Sequence, residues 1–169
     1  MRQGRLPFLT MAAMLVAGCA AHRVDAGVFH SPKGYRVTMP NPGWMIVSED
    51  HGGGDLVLRD ATGRAGILIN ANCDAGRARR PLALLERRLL HGLARRTTIE
   101  HGEATVNGRP AAHSVLEAAN DATGSRLRIE TFVVSDGHCV FDLVYAAEPD
   151  VFAAGRDTFA RFVQSFATE

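Results

Sequence analysis

An α+β domain, an antiparallel sheet packed by two helices, is the fold class that the 169-residue sequence predicts. Three observations lead there. From Gly34 onward apolar and polar residues alternate with a period of two, as half-buried strands do, and the intervening turns are short enough to favour antiparallel neighbours. Two segments, 81–96 and 150–166, switch to helical spacing and carry broad apolar stripes. The order is four strands, helix, four strands, helix, and two helices with large apolar faces must bury them against the sheet.

The chain opens with a segment that is not part of that domain. Arg2 and Arg5 make a short cationic start, and Leu6 to Val16 is an apolar run about as long as a signal-peptide core. A spanning helix wants about 20 apolar residues; Arg5 and His22-Arg23 bound this run well short of that. Val16-Ala17-Gly18-Cys19 then has the form of a bacterial lipobox: an aliphatic residue, two small ones that fit an extended peptidase groove, and a thiol. The stretch resembles bacterial lipoprotein signals. That resemblance implies cleavage before Cys19, a diacylglyceryl group on its sulfur and acylation of the new amino terminus. The plain alternative is an ordinary cleaved signal that happens to contain a cysteine. Two or three acyl chains, at about 0.8 kcal/mol per buried methylene, anchor a protein for practical purposes permanently. Ala20 stands where an aspartate would, by resemblance to the enteric sorting rule, favour the inner membrane. The expected location is therefore the periplasmic face of an outer membrane.

The organisation that follows is residues 1–18 as signal peptide, 19–33 as lipidated cysteine and tether without apolar periodicity, and 34–169 as a single domain. Loss of the signal leaves 151 residues and one acid in excess. That length suits one domain, and near-neutrality argues against global attraction to nucleic acid.

Within the domain, Tyr35-Val37-Met39 marks a first strand, stopped by Pro40-Asn41-Pro42-Gly43. Trp44 to Ser48, Asp55 to Arg59 and Gly66 to Cys73 follow as strands, separated by His51-Gly-Gly-Gly54 and Ala61-Thr-Gly-Arg64. Pro81 suits a first helical turn, after which Leu82, Leu85, Leu89 and Leu93 share one stripe. Strands resume at about 98–106, 110–118, 126–135 and 139–147, with turns at Asn107-Gly108, Asp121-Ala-Thr-Gly124 and Asp136-Gly137. Pro149-Asp150 opens the last helix, whose stripe is Phe152, Phe159, Phe162, Val163 and Phe166. Of the three cysteines, Cys19 takes lipid, which leaves Cys73 and Cys139 in an oxidising compartment. Alternation puts Cys73 on the face of Ile67, Ile69 and Ala71, and Cys139 on that of Phe141, Leu143 and Tyr145. If the two strands are antiparallel neighbours, the cysteines lie level and can bridge; otherwise they are two separate buried thiols.

Gly34-Tyr35-Arg-Val37-Thr-Met-Pro40-Asn-Pro-Gly43-Trp44 resembles the opening of PsbP-like domains, where an aromatic strand meets a proline turn and a tryptophan. Val106-Asn107-Gly108-Arg-Pro110-Ala111 resembles their central hairpin, and the closing helix with Gln164-Ser165-Phe166 resembles theirs. The resemblance runs in order over residues 29–167. It implies an α/β/α sandwich and an accessory, non-catalytic role, and it carries over no site residue.

The motifs of catalysis and metal binding do not occur. The seven histidines, His22, His30, His51, His91, His101, His113 and His138, lack the short spacings of tight metal sites. No GxSxG surrounds any serine. His138 and Cys139 are adjacent on a strand and point to opposite faces, so they form no dyad. No cofactor or metal is expected. One surface feature is sharper: Arg77, Arg79, Arg80, Arg87, Arg88, Arg95 and Arg96 crowd the first helix against a single acid, Glu86. On a helix through 96, Arg80, Arg87, Arg88, His91 and Arg95 span about 100° of arc opposite the leucines. A solvated outer face is one account of Arg80, Arg87, Arg88 and Arg95; an anionic partner is the other, whether lipid headgroup, phosphorylated glycolipid or acidic protein patch.

The function these features imply is a lipid-anchored, non-enzymatic accessory or binding domain of the bacterial envelope. It would touch the membrane through its anchor, have an envelope protein as partner, and bind no nucleic acid. Two alternatives stand beside it. A hydrolase of envelope polymers would need a pocket gathering acid, base and nucleophile; a carrier of small apolar ligands would need an apolar cavity between helix and sheet.

Overall fold

The computed structural model describes residues 23–40, 42–47, 54–91, 93–119 and 124–169. The lipobox, Cys19, His22 and His51 lie outside the described residues. The chain builds strands β1 (Arg23–Asp25), β2 (Val28–Ser31), β3 (Tyr35–Thr38), β4 (Trp44–Ile46), β5 (Leu56–Asp60) and β6 (Ala65–Asn72). Helices α1 (Ala75–Ala78) and α2 (Leu82–Leu89) come next, then β7 (Ala94–Val106), β8 (Arg109–Ala119), β9 (Arg126–Ser135) and β10 (Val140–Ala147). Helix α3 (Phe152–Ser165) and β11 (Ala167–Thr168) close it.

Seven strands form one antiparallel sheet in the order β4-β5-β6-β10-β9-β8-β7, and β1-β2-β3-β11 form a small second sheet. Side chains alternate across a strand, so the large sheet offers two apolar faces. On one, Phe141, Leu143 and Tyr145 of β10 meet Phe152, Phe159, Phe162 and Val163 of α3, and Phe29, Tyr35 and Val37 of the small sheet join the same core. On the other, Val133 and Val140 meet Leu85 of α2, with Leu82 and Leu89 packed beside them. Helices on both faces make an α/β/α sandwich, in agreement with the expected α+β class.

Three local devices fix the geometry. Asn107 and Gly108 both take positive φ, the turn conformation whose twist suits a two-residue hairpin, and β7 and β8 pair outward from it. Gly155 lies against Tyr145: a Cβ there would come within 2.2 Å of the phenol oxygen, which donates a hydrogen bond to the Phe152 carbonyl at 3.1 Å. Finally, β6 and β10 are antiparallel neighbours with Asn72 opposite Val140. The next rung is Cys73 and Cys139, and they are joined in a disulfide. Cys139 is buried as its alternation requires; Cys73 lies one residue past the end of β6 and is exposed.

The structure corrects the expected boundaries in three places. Residues 23–31, read as tether, form β1 and β2. Short strands edged by polar residues show little alternation, and pairing with β3 holds them in the domain. The helix expected through 96 ends at Leu89, and β7 already pairs with β8 at Ala94–Ala119. The β-branched run Thr97-Thr98-Ile99 favours strand over helix, and pairing with β8 extends it backward. Phe166 is buried as expected but follows the end of α3 and leads into β11.

Candidate functional site

The second correction alters the arginine face. Arg95 is not on a helix: it sits in β7 with φ +47°, at a shift in the β7–β8 register between Ala94 and Thr97. Arg80 lies in the link before α2. The single arc of Arg80, Arg87, Arg88 and Arg95 is therefore not formed. Arg79, Arg80, Arg87 and Arg88 are all exposed, and none is within ion-pair distance of a carboxylate among the described residues. Glu86, the one acid in this stretch, does not neutralise them. It falls within the leucine stripe, 40° from Leu82 at 100° per residue, and is buried at 4 % exposure. Between Arg79 and Arg88 the exposed charges are thus all positive.

Beside that face a groove of about 300 Å³ is lined by Asn72, Arg77, Leu85, Arg88, Leu89, Val140 and Asp142. Burial pushes the Asp142 carboxyl up to about 6, against the pull of the Arg77 charge and a hydrogen bond with Asn70.

On the opposite flank of α2 lies a larger cleft of about 520 Å³, between α2 and the β7–β8 hairpin. Leu82, Ala83 and Glu86 wall it from the helix, and His101, Glu103 and Pro110 from the hairpin. Residue 101 of β7 pairs with residue 114 of β8. This brings together three groups that sequence reading had left apart. The Ser114 hydroxyl donates to Glu86 Oε1 at 2.6 Å; His101 Nδ1 lies 3.1 Å from Ser114 Oγ and 3.4 Å from Glu86 Oε2.

The residue types are those of a nucleophilic triad, but the proton order is not. A carboxylate only accepts, so the Ser114 proton points at Glu86, and Oγ is left as an acceptor for a proton on His101 Nδ1. A serine nucleophile needs the reverse, an unprotonated imidazole nitrogen facing its hydroxyl. Ser114 is also buried, at 2 % exposure. The cavity between helix and sheet that a carrier would need is present, and its wall mixes apolar side chains with two carboxylates and an imidazole.

The α3 side holds a contrasting cluster. Glu130, buried at 5 % exposure, accepts from His113 Nε2 at 2.9 Å and from Arg156 Nε at 3.1 Å and Nη2 at 3.2 Å. Burial alone would raise the Glu130 carboxyl, but these hydrogen bonds more than offset it and hold it below the usual range. Among the described residues no group of three His, Cys, Asp or Glu side chains is placed to hold a metal ion, and no helix is long and apolar enough to cross a membrane.

No family model matches the chain, and no curated protein matches it. Solved structures do. Cyanobacterial PsbP (CyanoP) from Synechocystis superposes with a TM-score of 0.60 at 14 % identity, covering 94 % of this chain and 99 % of that one. LpqN of Mycobacterium tuberculosis, described as involved in cell envelope biogenesis, gives 0.60 at 15 % identity, covering 82 % and 87 %. A Bacteroides thetaiotaomicron protein gives 0.61 at 10 % identity over 85 % of this chain, which spans about half, 48 %, of that protein's length. At these identities the likeness is one of fold, and the fold is PsbP-like.

Proposed function

We propose that this chain is a lipid-anchored, non-enzymatic accessory domain of the bacterial envelope, held by Cys19 at the periplasmic face of the outer membrane and presenting Arg79, Arg80, Arg87 and Arg88 to an anionic partner surface. The observation that carries the reading is the unneutralised surface of α2 and the link before it: four exposed arginines without an ion pair among the described residues, over an acid turned inward. Arginine suits phosphate and carboxylate recognition because its planar fork donates in pairs. The non-enzymatic part is supported by the proton order at Ser114, whose hydroxyl is committed to Glu86. The envelope assignment is supported by the lipobox of the sequence and by the fold shared with LpqN.

Vesicle flotation of the domain lacking residues 1–19 tests the surface. Binding to vesicles containing phosphatidylglycerol at low salt, and none to pure phosphatidylcholine, is expected; equal or absent binding to both leaves a merely solvated face. Metabolic labelling with an alkyne fatty acid tests the anchor. Cys19→Ser, which cannot form the thioether, should carry no label, and equal label on the two chains would end the lipoprotein reading.

A further inference from the structure

The cleft between α2 and the β7–β8 hairpin has a size, a sign and an open acceptor. Its volume of about 520 Å³ falls within the roughly 300–1,000 Å³ of small-molecule sites. Its charged walls are Glu86 and Glu103, and the described residues lining it include no Lys or Arg. The acceptor is on Glu86. Charges buried without full compensation are costly, and the two buried glutamates of this domain are served very differently. Glu130 receives donors on both oxygens, two of them from a guanidinium. Glu86 receives one neutral hydroxyl, on Oε1; its Oε2 has only His101 Nδ1 at 3.4 Å, longer than the ~2.7–2.9 Å of a charge-assisted bond. The neighbouring arginines, Arg87 and Arg88, are exposed and make no bond to it, and Oε2 is not among the buried polar atoms left without a partner, so it is open to the cleft.

We propose that this cleft binds a small organic cation of the alkylammonium class, its charged head on Glu86 with Glu103 at the rim, its apolar body along Leu82, Ala83 and Pro110. An anionic ligand would meet two carboxylates. A metal ion would need a third close ligand, and the described residues gather none. An ammonium instead supplies the donors that Glu86 Oε2 lacks, and its short carbon chain fits the apolar part of the wall. The proposal goes beyond the accessory role and does not depend on it: it is read from Glu86, Glu103 and the apolar wall of the cleft, and none of Arg79, Arg80, Arg87 and Arg88 lines the cleft.

The test is an amide NMR titration of the full chain in zwitterionic detergent micelles with n-pentylammonium chloride. Controls at equal ionic strength are n-pentanol, which has the body without the charge, and pentanoate, which has the opposite charge. Saturable shifts at the amides of Ala83, Glu103 and Ala112 are expected with pentylammonium alone. Glu86→Gln should weaken binding at least about tenfold, as loss of a hydrogen bond to a charged group does; Glu103→Gln, at an exposed position, should weaken it a few-fold. Shifts of equal size with pentanol, absence of saturation, or unchanged binding in Glu86→Gln would overturn the proposal. Should Glu86→Gln not fold, Glu103→Gln decides: binding equal to that of the unmutated chain overturns it. Failure of vesicle binding by the arginine face would leave this outcome untouched, and the reverse also holds.

Discussion

Arginine does opposite work on the two faces of this sandwich. On the α3 side three guanidiniums are tied to carboxylates. Arg156 joins Glu100 at 2.8 Å and Glu130 at 3.1 Å, Arg64 joins Glu148 and Asp150 at 2.6 Å each, and Arg128 joins Glu117 at 2.6 Å while lying over the Phe152 ring. On the α1–α2 side Arg79, Arg80, Arg87 and Arg88 reach no carboxylate among the described residues. The difference shows that charge count says little until partners are placed. Paired arginines fasten α3 and its entry loop to the sheet, whereas unpaired ones leave their whole field to the solvent side.

The largest expected effect falls on what both faces share. The Cys73–Cys139 bridge joins β6 to β10 at the centre of the sheet, closing a separation of 66 residues. Chain entropy assigns such a loop about 4 kcal/mol at most, a large share of a domain's ~5–15 kcal/mol. Reduced and alkylated protein should unfold at markedly lower urea, with both helical faces lost in one transition. Two cysteines alkylated without reductant, in denatured protein purified from the periplasm, would remove the bridge from the account.

Next in size is a change that should hurt one face only. Glu130→Ala strips Arg156 and His113 of their buried partner, and breaking a buried pair costs about 3 kcal/mol or more. The sign with pH follows from a carboxyl held below its ordinary value: its contribution is present above the unfolded carboxylate range and lost as pH falls through the lower folded value. Glu130→Gln should therefore flatten the acid limb of the stability profile. A loss under about 1 kcal/mol for Glu130→Ala in urea denaturation would place the cluster with ordinary surface pairs.

Asp142 sharpens the contrast from the α1–α2 side, because its carboxyl is raised to about 6 by burial against only partial help from Arg77. The native state then binds a proton more tightly than the unfolded chain. Stability from this group is highest below about pH 4, declines as pH rises toward 6, and carries the full penalty above that. At ~1.4 kcal/mol per pKa unit the penalty is on the order of 3 kcal/mol. Asp142→Asn should raise stability by about 2–3 kcal/mol at pH 7 and leave it unchanged near pH 4, as read by thermal unfolding at the two pH values. An equal effect at both would assign the change to packing.

Much of this arrangement is written locally. Alternation and turn residues locate β5, β6, β9 and β10, and the phenylalanine spacing locates α3, because each depends on neighbours within a few residues. The disulfide was legible as a conditional: two cysteines level if their strands pair, and they pair. Even the contact of His101 with Ser114 had a signal, since a two-residue turn at Asn107-Gly108 sets residue 101 opposite 114. Glu86 inside a leucine stripe was the mark of a buried acid. What the sequence hid depends on distant pairing. The strands β1 and β2 are too short to alternate visibly, and the end of α2 is decided by β8 reaching back to Ala94. Once that turn is strand, Arg95 leaves the helical face.

The smallest effect on stability should accompany the largest on binding. Arg87 and Arg88 are exposed and have no ion pair among the described residues, so Arg87→Glu with Arg88→Glu removes no described contact that holds the fold, and exposed substitutions of this kind stay within about 0.5 kcal/mol. The same pair reverses charge at the centre of the cationic face. Binding of the domain to anionic vesicles should then fall to the level seen with neutral lipid. The unmutated domain should lose its binding as salt rises from about 0.01 to 0.15 M, because the Debye length shrinks from ~30 to ~8 Å and the separated arginines cease to act together. Opposite behaviour at the tied face completes the comparison: Arg156→Glu should cost stability by breaking the Glu130 cluster, and change vesicle binding little in whatever fraction stays folded. If Arg87→Glu with Arg88→Glu leaves vesicle binding intact, the free arginines are ordinary solvated charge, and the contrast between the faces is one of stability alone.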